Sequence, residues 1–474
     1  MSQPDKINVS LLSHTNVGKT TLARTLLRQD IGEVGDRAHV TEVAESHVLI
    51  ESPAGDSMIL WDTPGFGDST RVLKRLKQGE KPIGWFLSHV WDRFADRPFW
   101  CSQQAMKNAR ETSDVILYVV NAGEQPSSAG FIDAEMRILG WIGKPVILLL
   151  NQLGPPRDAA QSQADVAQWQ EHIAQFKWVE MVLPFDAFAR CWVQEGTLLA
   201  HVQRLLSPQR SQVFERLREA WRERNLAVFR ESMHALSEQL AAAATDAEAL
   251  EELDFQGKAR AWLGAVATGN ERTDARLERA QSDLASRLDR RIRDTTEKLV
   301  RLHGLSGRAT DEVLKRMGSE FAIDRPADAD TASVLGGLVS GALGGLAADL
   351  GAGGLTFGAR GLAKAYNLAR GANAGTVRWA REFLFARVAA ALMRYLAVAH
   401  FGRGRGEFVS GLAPAHWQEA VSQALVRRRA SLDAIWAGCT SAGQAATAAG
   451  LAPLVTASTQ EVLIQLYPDV AFFK

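Results

Sequence analysis

Over residues 1–204 the chain alternates short apolar runs with polar stretches that carry glycine, the pattern of strands and helices taken in turn. Ile7, Val9, Leu11 and Leu12 predict a short buried strand, after which Leu22, Leu26 and Leu27 recur at helical spacing. Residues 31–41 are polar and glycine-bearing, so they read as a loop. Strand-like runs at 43–51 and 57–61 are joined by the turn Pro53-Ala54-Gly55-Asp56. Residues 114–121 are almost continuously apolar, as a central parallel strand requires. A helix bearing Phe131, Met136, Ile138 and Leu139 leads to a further strand at 145–150, and a run at 179–183 closes the series. This alternation predicts an α/β fold with a doubly wound, mostly parallel sheet.

From about Leu205 the period changes. Residues 212–240 and 276–303 mix Leu, Ala, Arg and Glu, with apolar positions three and four apart, and read as long helices. Glutamates interleave the arginines of 204–230, which favours a solvated helix face over an RNA patch. Residues 331–348 carry no charge, and Gly337, Gly341 and Gly345 repeat every four residues, a spacing that lets helix backbones approach. A second apolar run, 350–359, follows Asp349. Each run is short against the ~20 apolar residues of a membrane span. Together they are either a hairpin dipping into a bilayer or a small-residue helix pair in a soluble bundle. Residues 383–401 predict a helix with isolated arginines, followed by Gly402-Arg403-Gly404-Arg405-Gly406; it fits an interfacial helix with a basic anchor, although core packing is the commoner use.

Composition narrows this picture. A chain of 474 residues exceeds one core and suggests roughly two to four domains. Fifty-four basic residues balance 54 acidic ones, so no overall field points to nucleic acid, which is not an expected partner. Cys101, Cys191 and Cys439 are far apart, which argues for a reducing compartment and against a structural zinc site. The first strand starts a few residues after Met1, so no secretory signal is expected. The expectation is a cytoplasmic protein, at most peripheral or integral at the cytoplasmic face of the inner membrane.

The chemistry begins between the first strand and the first helix. Ser13-His14-Thr15-Asn16-Val17-Gly18-Lys19-Thr20 fits the phosphate-binding loop G-x-x-x-x-G-K-[ST] with serine in the first glycine position. Asn16, Val17, Gly18, Lys19, Thr20 and Thr21 are the phosphate-binding set. Backbone amides and the helix N-terminus face an anion, Lys19 reaches the β- and γ-phosphates, and the Thr20 hydroxyl ligates Mg²⁺. The strand at 57–61 runs into Asp62-Thr63-Pro64-Gly65, where Asp62 can hold Mg²⁺ through water and the Gly65 amide can meet a γ-phosphate.

With Asn16-Val17-Gly18-Lys19-Thr20, Thr41 and Asp62-Thr63-Pro64-Gly65, the chain resembles the Era-like (TRAFAC class) branch of bacterial P-loop GTPases. The resemblance implies that Thr41 senses the γ-phosphate and Mg²⁺, that Asp62 and Gly65 open the second switch, and that Asn16 supports a K⁺ ion. Phe66 stands where Ras-type enzymes place a water-orienting glutamine, so no side chain is named as general base. The family's guanine motif N-K-x-D is represented by Asn151-Gln152-Leu153-Gly154, which keeps the base-orienting asparagine and lacks the carboxylate. Asp186-Ala187 falls at the last motif, where Asp186 either supplies part of the missing recognition or is an ordinary loop aspartate. Residues 68–112 replace a short second switch, and their aromatics Trp85, Phe86, Trp91, Phe94, Phe99 and Trp100 serve as a nucleotide-dependent lid or simply pack the insertion. The order of segments through Arg394-Tyr395-Leu396-Ala397-Val398-Ala399-His400-Phe401 is similar to that of bacterial GTPases with an uncharacterised helical C-terminal domain.

These readings predict a P-loop GTPase domain at 1–204, a helical domain at 205–330, a Gly/Ala-rich apolar hairpin at 331–365 and a C-terminal helical region at 366–474. The expected activity is Mg²⁺-dependent hydrolysis of GTP to GDP and phosphate, assisted by K⁺, in a nucleotide switch with a protein partner and membrane contact through 331–359. A membrane-acting dynamin-like mechanoenzyme and a nucleotide-gated scaffold with little hydrolysis are the alternatives.

Overall fold

The computed structural model describes residues 5–29, 31, 43–77, 96–127, 130–153, 159–189, 191–250, 275–305, 366–370, 375–402 and 414–468. Thr41, Gly154, the aromatics Trp85, Phe86, Trp91 and Phe94, and the whole glycine-rich stretch 331–365 lie outside these residues. The chain divides into two compact units. One comprises Met1–Ala227, Ala399–Val409 and Leu466–Lys474; the other comprises Val228–Val398 and Ser410–Gln465.

The first unit is built on a six-stranded sheet of order β2-β3-β1-β4-β5-β6. Its strands are β1 (Lys6–Ser13), β2 (Glu45–Glu51), β3 (Ser57–Asp62), β4 (Val115–Asn121), β5 (Val146–Asn151) and β6 (Val179–Pro184). All neighbours are parallel except β2 and β3, which the turn at 53–56 folds back on each other. β1, β4 and β5 are buried over nearly their whole length, which is why they read as continuous apolar runs. The helices are α1 (Lys19–Leu27), α2 (Ser69–Leu76), α3 (Arg97–Glu111), α4 (Ile132–Ile142), α5 (Ala159–Ile173) and α6 (Trp192–Leu205). Phe99 of α3 is fully buried in the core with Leu12, Phe66 and Met136, so this aromatic packs the insertion onto the domain.

Helix α7 (Pro208–Thr245) is long, as its period predicted. Its first half buries Val213, Phe214, Leu217 and Trp221, three and four apart, and turns its arginines outward. Two of these arginines tie it to the sheet. Arg210 donates to the Lys6 carbonyl (2.6 Å) and to Asp114 (2.5 Å), and Arg216 donates to Asp56 (2.8 Å). The last helical turn of α1 is held as well, because Arg28 donates to Asn225 (2.8 Å).

The second unit holds a three-stranded antiparallel sheet of order β7-β9-β8, from β7 (Ala247–Leu250), β8 (Tyr366–Arg370) and β9 (Gly375–Trp379). The same part of the chain carries α8 (Ala275–Leu302), which packs on β7 and β9, and α9 (Arg381–Ala399), α10 (Ala415–Val426) and α11 (Arg429–Leu466), the last interrupted at Gly443. Helix α9 packs in the core on nearly every side, and its isolated arginines are inside it. Burial lowers the Arg387 guanidinium to about 10 and that of Arg394 to about 9. Arg394 donates to Gln239 and to the Ile292 carbonyl. Of the two readings of this segment, the structure takes core packing.

Candidate functional site

The predicted phosphate loop follows β1 and closes on α1. Gly18 caps α1 with φ of 88°, and a Cβ there would stand 2.8 Å from the Asn151 Nδ2, so both backbone and space require glycine. Ser13 tells the opposite story. Among the described non-glycine residues only Asn16, Arg28 and Gln152 have positive φ, so Ser13 sits at ordinary backbone angles, its hydroxyl donating to the His14 carbonyl at 2.5 Å. Serine therefore costs this loop no strain. Asn16 is exposed at the loop's tip with φ of 66°.

Beneath the loop, Lys19, Asp62 and Thr20 meet. Lys19 is 7 % and Asp62 2 % exposed. Burial pushes the Lys19 ammonium below its usual range, opposed by the charges of Asp62 and Glu135. Burial likewise pushes the Asp62 carboxyl up, against the pull of Lys19 and of the Thr20 hydroxyl. Thr20 Oγ1 donates to Asp62 Oδ2 at 2.7 Å, while Asp62 Oδ1 is buried with no hydrogen-bond partner among the described residues. A hydroxyl and an unsatisfied carboxylate oxygen side by side are the hard oxygen donors Mg²⁺ prefers, with phosphate and water completing its octahedron. The residues fit the ion. Thr21, one residue further along α1, is buried.

The segment after Asp62 lies against the phosphate loop. Thr63 donates to the Leu11 carbonyl (2.6 Å), the Phe66 amide donates to the Ser13 carbonyl (2.9 Å), and His14 and Phe66 form a parallel bridge. A Cβ on Gly65 would stand 3.0 Å from the Thr15 Cα, which puts the Gly65 backbone directly on the loop. Phe66 is fully buried, so its ring packs the core and orients no water.

A residue the sequence reading passed over sits at the junction of these pieces. Glu135 on α4 is fully buried. Its carboxylate meets His14 Nδ1 at 2.7 Å, accepts from the Tyr118 hydroxyl at 2.5 Å, and accepts from Ser69, the first residue of α2. His14 also stacks on Phe131, with ring centroids 4.0 Å apart. Burial and the neighbouring carboxylate hold the Tyr118 hydroxyl well above its ordinary value. One acid thus joins the phosphate loop, β4 and the helix after Gly65. The signal was present: Glu135 lies three residues after Ile132 and four before Leu139, on the apolar face of its helix. Glu135→Ala leaves three donors without their acceptor and is expected to destabilise the fold by about 2–5 kcal/mol, with Glu135→Gln milder because an acceptor remains. Urea unfolding of both variants checks this; an alanine variant as stable as the wild type would refute it.

At the residues expected to meet the base, Asn151 is fully buried, and its amide bridges two loops. Nδ2 donates to the Val17 carbonyl and Oδ1 accepts from the Ala187 amide, both at 2.8 Å. Gln152 has φ of 58°, and its Nε2 lies 3.5 Å from where a Gly18 Cβ would be. Asp186 is buried, which raises its carboxyl, against the backbone amides of Phe188, Leu153 and Ala189. Its Oδ2 accepts from Leu153 and its Oδ1 from Phe188, each at 2.7 Å. Both oxygens are thus taken up in tying the 152–153 and 186–189 segments together.

Strand order, phosphate loop and the Lys19–Thr20–Asp62 cluster together define a P-loop G domain. Residues 8–152 match the family model described as 50S ribosome-binding GTPase. No curated protein sequence matches the chain. Among solved structures, one of Era in complex with MgGDPNP and a fragment of 16S ribosomal RNA is 19% identical with a TM-score of 0.32, covering 43% of this chain. The chain spans 58% of that protein. A point variant of Era from Aquifex aeolicus bound to GDP and aluminium fluoride is 16% identical, covering 63% of this chain and 98% of its own, with a TM-score of 0.33. The FeoB G-domain from Methanococcus jannaschii is also 16% identical, covering 38% and 86%, with a TM-score of 0.22.

Proposed function

We propose that the first unit binds GTP with Mg²⁺, hydrolyses it to GDP and phosphate, and works as a nucleotide switch for a protein partner. The observation that carries this reading is the buried cluster under the loop: a desolvated Lys19, a Thr20 hydroxyl on Asp62, and an Asp62 oxygen with no hydrogen-bond partner among the described residues. In it the amides of Asn16 to Thr21 receive the phosphates, Lys19 neutralises them, and Thr20 and Asp62 hold Mg²⁺ directly and through water. Thr41 and Gly65 respond to the γ-phosphate. Asn16, exposed at the loop's tip, is the residue that would support K⁺. With Phe66 buried, hydrolysis depends on positioning and charge neutralisation alone, so turnover is slow without K⁺ or a partner.

Base recognition is the weak half of this site. Asn151 and the Ala187 loop frame it, whereas the usual carboxylate is missing from 154 and Asp186 is engaged by backbone amides. The switch therefore prefers guanine only modestly. Titration calorimetry with GTP, GDP and ATP, in Mg²⁺ with K⁺ and then with Na⁺, tests the reading. GTP should bind more tightly than ATP by about tenfold, one good polar contact, rather than the ~10⁴-fold of a built-in recognition site. Absence of binding by every nucleotide would overturn it.

The membrane reading rests on residues 331–359 alone. No helix among the described residues is long and apolar enough to cross a membrane. Flotation with liposomes, comparing the full chain with one lacking 331–359, decides whether this segment brings the protein to the cytoplasmic face of a bilayer.

A further inference from the structure

The loop that frames the base is held from two sides, and one of them comes from the far end of the chain. On the inner side, the Ala187 amide donates to Asn151, and the Ala187 carbonyl accepts from Thr25 of α1 at 2.8 Å. On the outer side, Ala189 and Phe401 form an antiparallel bridge, and the Gly402 amide donates to the Phe188 carbonyl at 3.2 Å. The approach at Gly402 is very close. A Cβ there would lie 2.1 Å from the Ala187 oxygen and 2.8 Å from the carbonyl carbons of Ala187 and Phe188. The neighbour is backbone, so no rotamer change could relieve the overlap.

The segment is itself anchored. His400 and Phe401 are 4 % and 7 % exposed. His400 Nε2 lies 2.7 Å from the Tyr467 hydroxyl, and the two rings stack at 5.7 Å. Burial holds the Tyr467 hydroxyl well above its ordinary value, with Cys191, the residue capping α6 just after the base loop, as the lesser cause. Two stretches distant in sequence, 399–402 and 466–468, thus converge behind residues 186–189.

We propose that Phe401 and Gly402, anchored by His400 and Tyr467, are positioning residues of the nucleotide site. They set the place of the 186–189 loop and hence the affinity for the nucleoside half of the ligand. This rests on the reading of the first unit as a nucleotide site. It matters more here than in a site with its own recognition carboxylate, because the position of this loop is what the site has left for discriminating a base. The coupling is reciprocal: a nucleoside that holds the loop also holds residues 400–402, which follow directly on α9.

The test separates the two halves of the ligand by titrating Mg²⁺-GTP and Mg²⁺-tripolyphosphate into the full chain and into Gly402→Ala and Tyr467→Phe. The expected result for Gly402→Ala is a loss of at least tenfold in GTP affinity with tripolyphosphate binding unchanged. Tyr467→Phe, which keeps the ring and removes the hydroxyl, should lose about threefold, roughly the net worth of one hydrogen bond. Hydrogen exchange supplies an independent readout: GTP should slow the amides of 399–402 in the wild type, and tripolyphosphate should not. Equal GTP affinity in Gly402→Ala and wild type overturns the proposal, as does a parallel loss of both ligands. A wild type that binds neither ligand overturns the underlying nucleotide reading instead.

Discussion

Lys19→Ala is expected to weaken GTP binding by two to three orders of magnitude, whatever the base. The ammonium is buried and held below its ordinary range by desolvation, with Asp62 and Glu135 as its opposing charges. A triphosphate arriving on the loop supplies several negative charges at hydrogen-bond distance. The desolvation is already in place, so the new charge-assisted bonds are made at little further cost. Removing the ammonium leaves a bound phosphate without that partner, and truncating one member of a buried charged pair costs about 3–5 kcal/mol. At 1.4 kcal/mol per tenfold, the lower part of that range is a factor of ~10²–10³. Calorimetry with GTP and with ATP should show the same loss, because Lys19 addresses phosphate. A loss for one nucleotide only would mean that Lys19 does not sit under the phosphates.

Asp62→Asn should produce two opposite effects. The first is loss of the Mg²⁺ dependence of GTP binding, tenfold or more, because the amide oxygen carries no charge for the ion. The second is a gain in stability of the nucleotide-free protein at neutral pH. The sign follows from linkage. Burial raises the Asp62 carboxyl above its ordinary value despite Lys19 and Thr20, so the folded state holds this proton more tightly than the unfolded one. Stability then falls as pH rises from about 4, the ordinary aspartate value, through the raised value, and is flat above it. Asparagine is neutral throughout and removes that slope. Thermal melts of both proteins across the acid range should therefore converge at low pH and separate towards neutrality, with the variant higher. A variant that melts lower at neutral pH would refute the raised carboxyl of Asp62, and one that binds GTP with unchanged Mg²⁺ dependence would remove Asp62 from the metal site.

The G domain was legible for a physical reason. Its strands are parallel and buried on both faces, so β1, β4 and β5 must be continuous apolar runs. The chemistry proposed for it rests on residues whose spacing is local: Gly18, Lys19 and Thr20 lie in one loop and one helical turn, and Asp62 ends the strand that pairs with β1. Short-range geometry suffices to recognise such a site. The long helices were equally plain, since an apolar stripe at three- and four-residue spacing, as in Val213, Leu217 and Trp221, has one helical reading.

Other features depend on which distant residues the fold brings together. Periodicity left the arginine-bearing segment at 383–401 open between a membrane surface and a core, and burial of α9 decided it. The sequence showed a serine in the first glycine position; only the backbone angles showed that no glycine is needed there. Asp186 looked like a candidate for the base until its two oxygens were found on backbone amides. The partners of Glu135 and Gly402 were not legible, because nothing within a few residues of either announces them. The groups that define them, His14, Ser69 and Tyr118 for one and Ala187 for the other, are reached only through the tertiary fold. By itself the sequence determined the periodic elements and the phosphate-loop motif, both set by short-range spacing. The tertiary structure decided which buried polar groups satisfy one another and what holds the base loop, because those pairings are made across the chain.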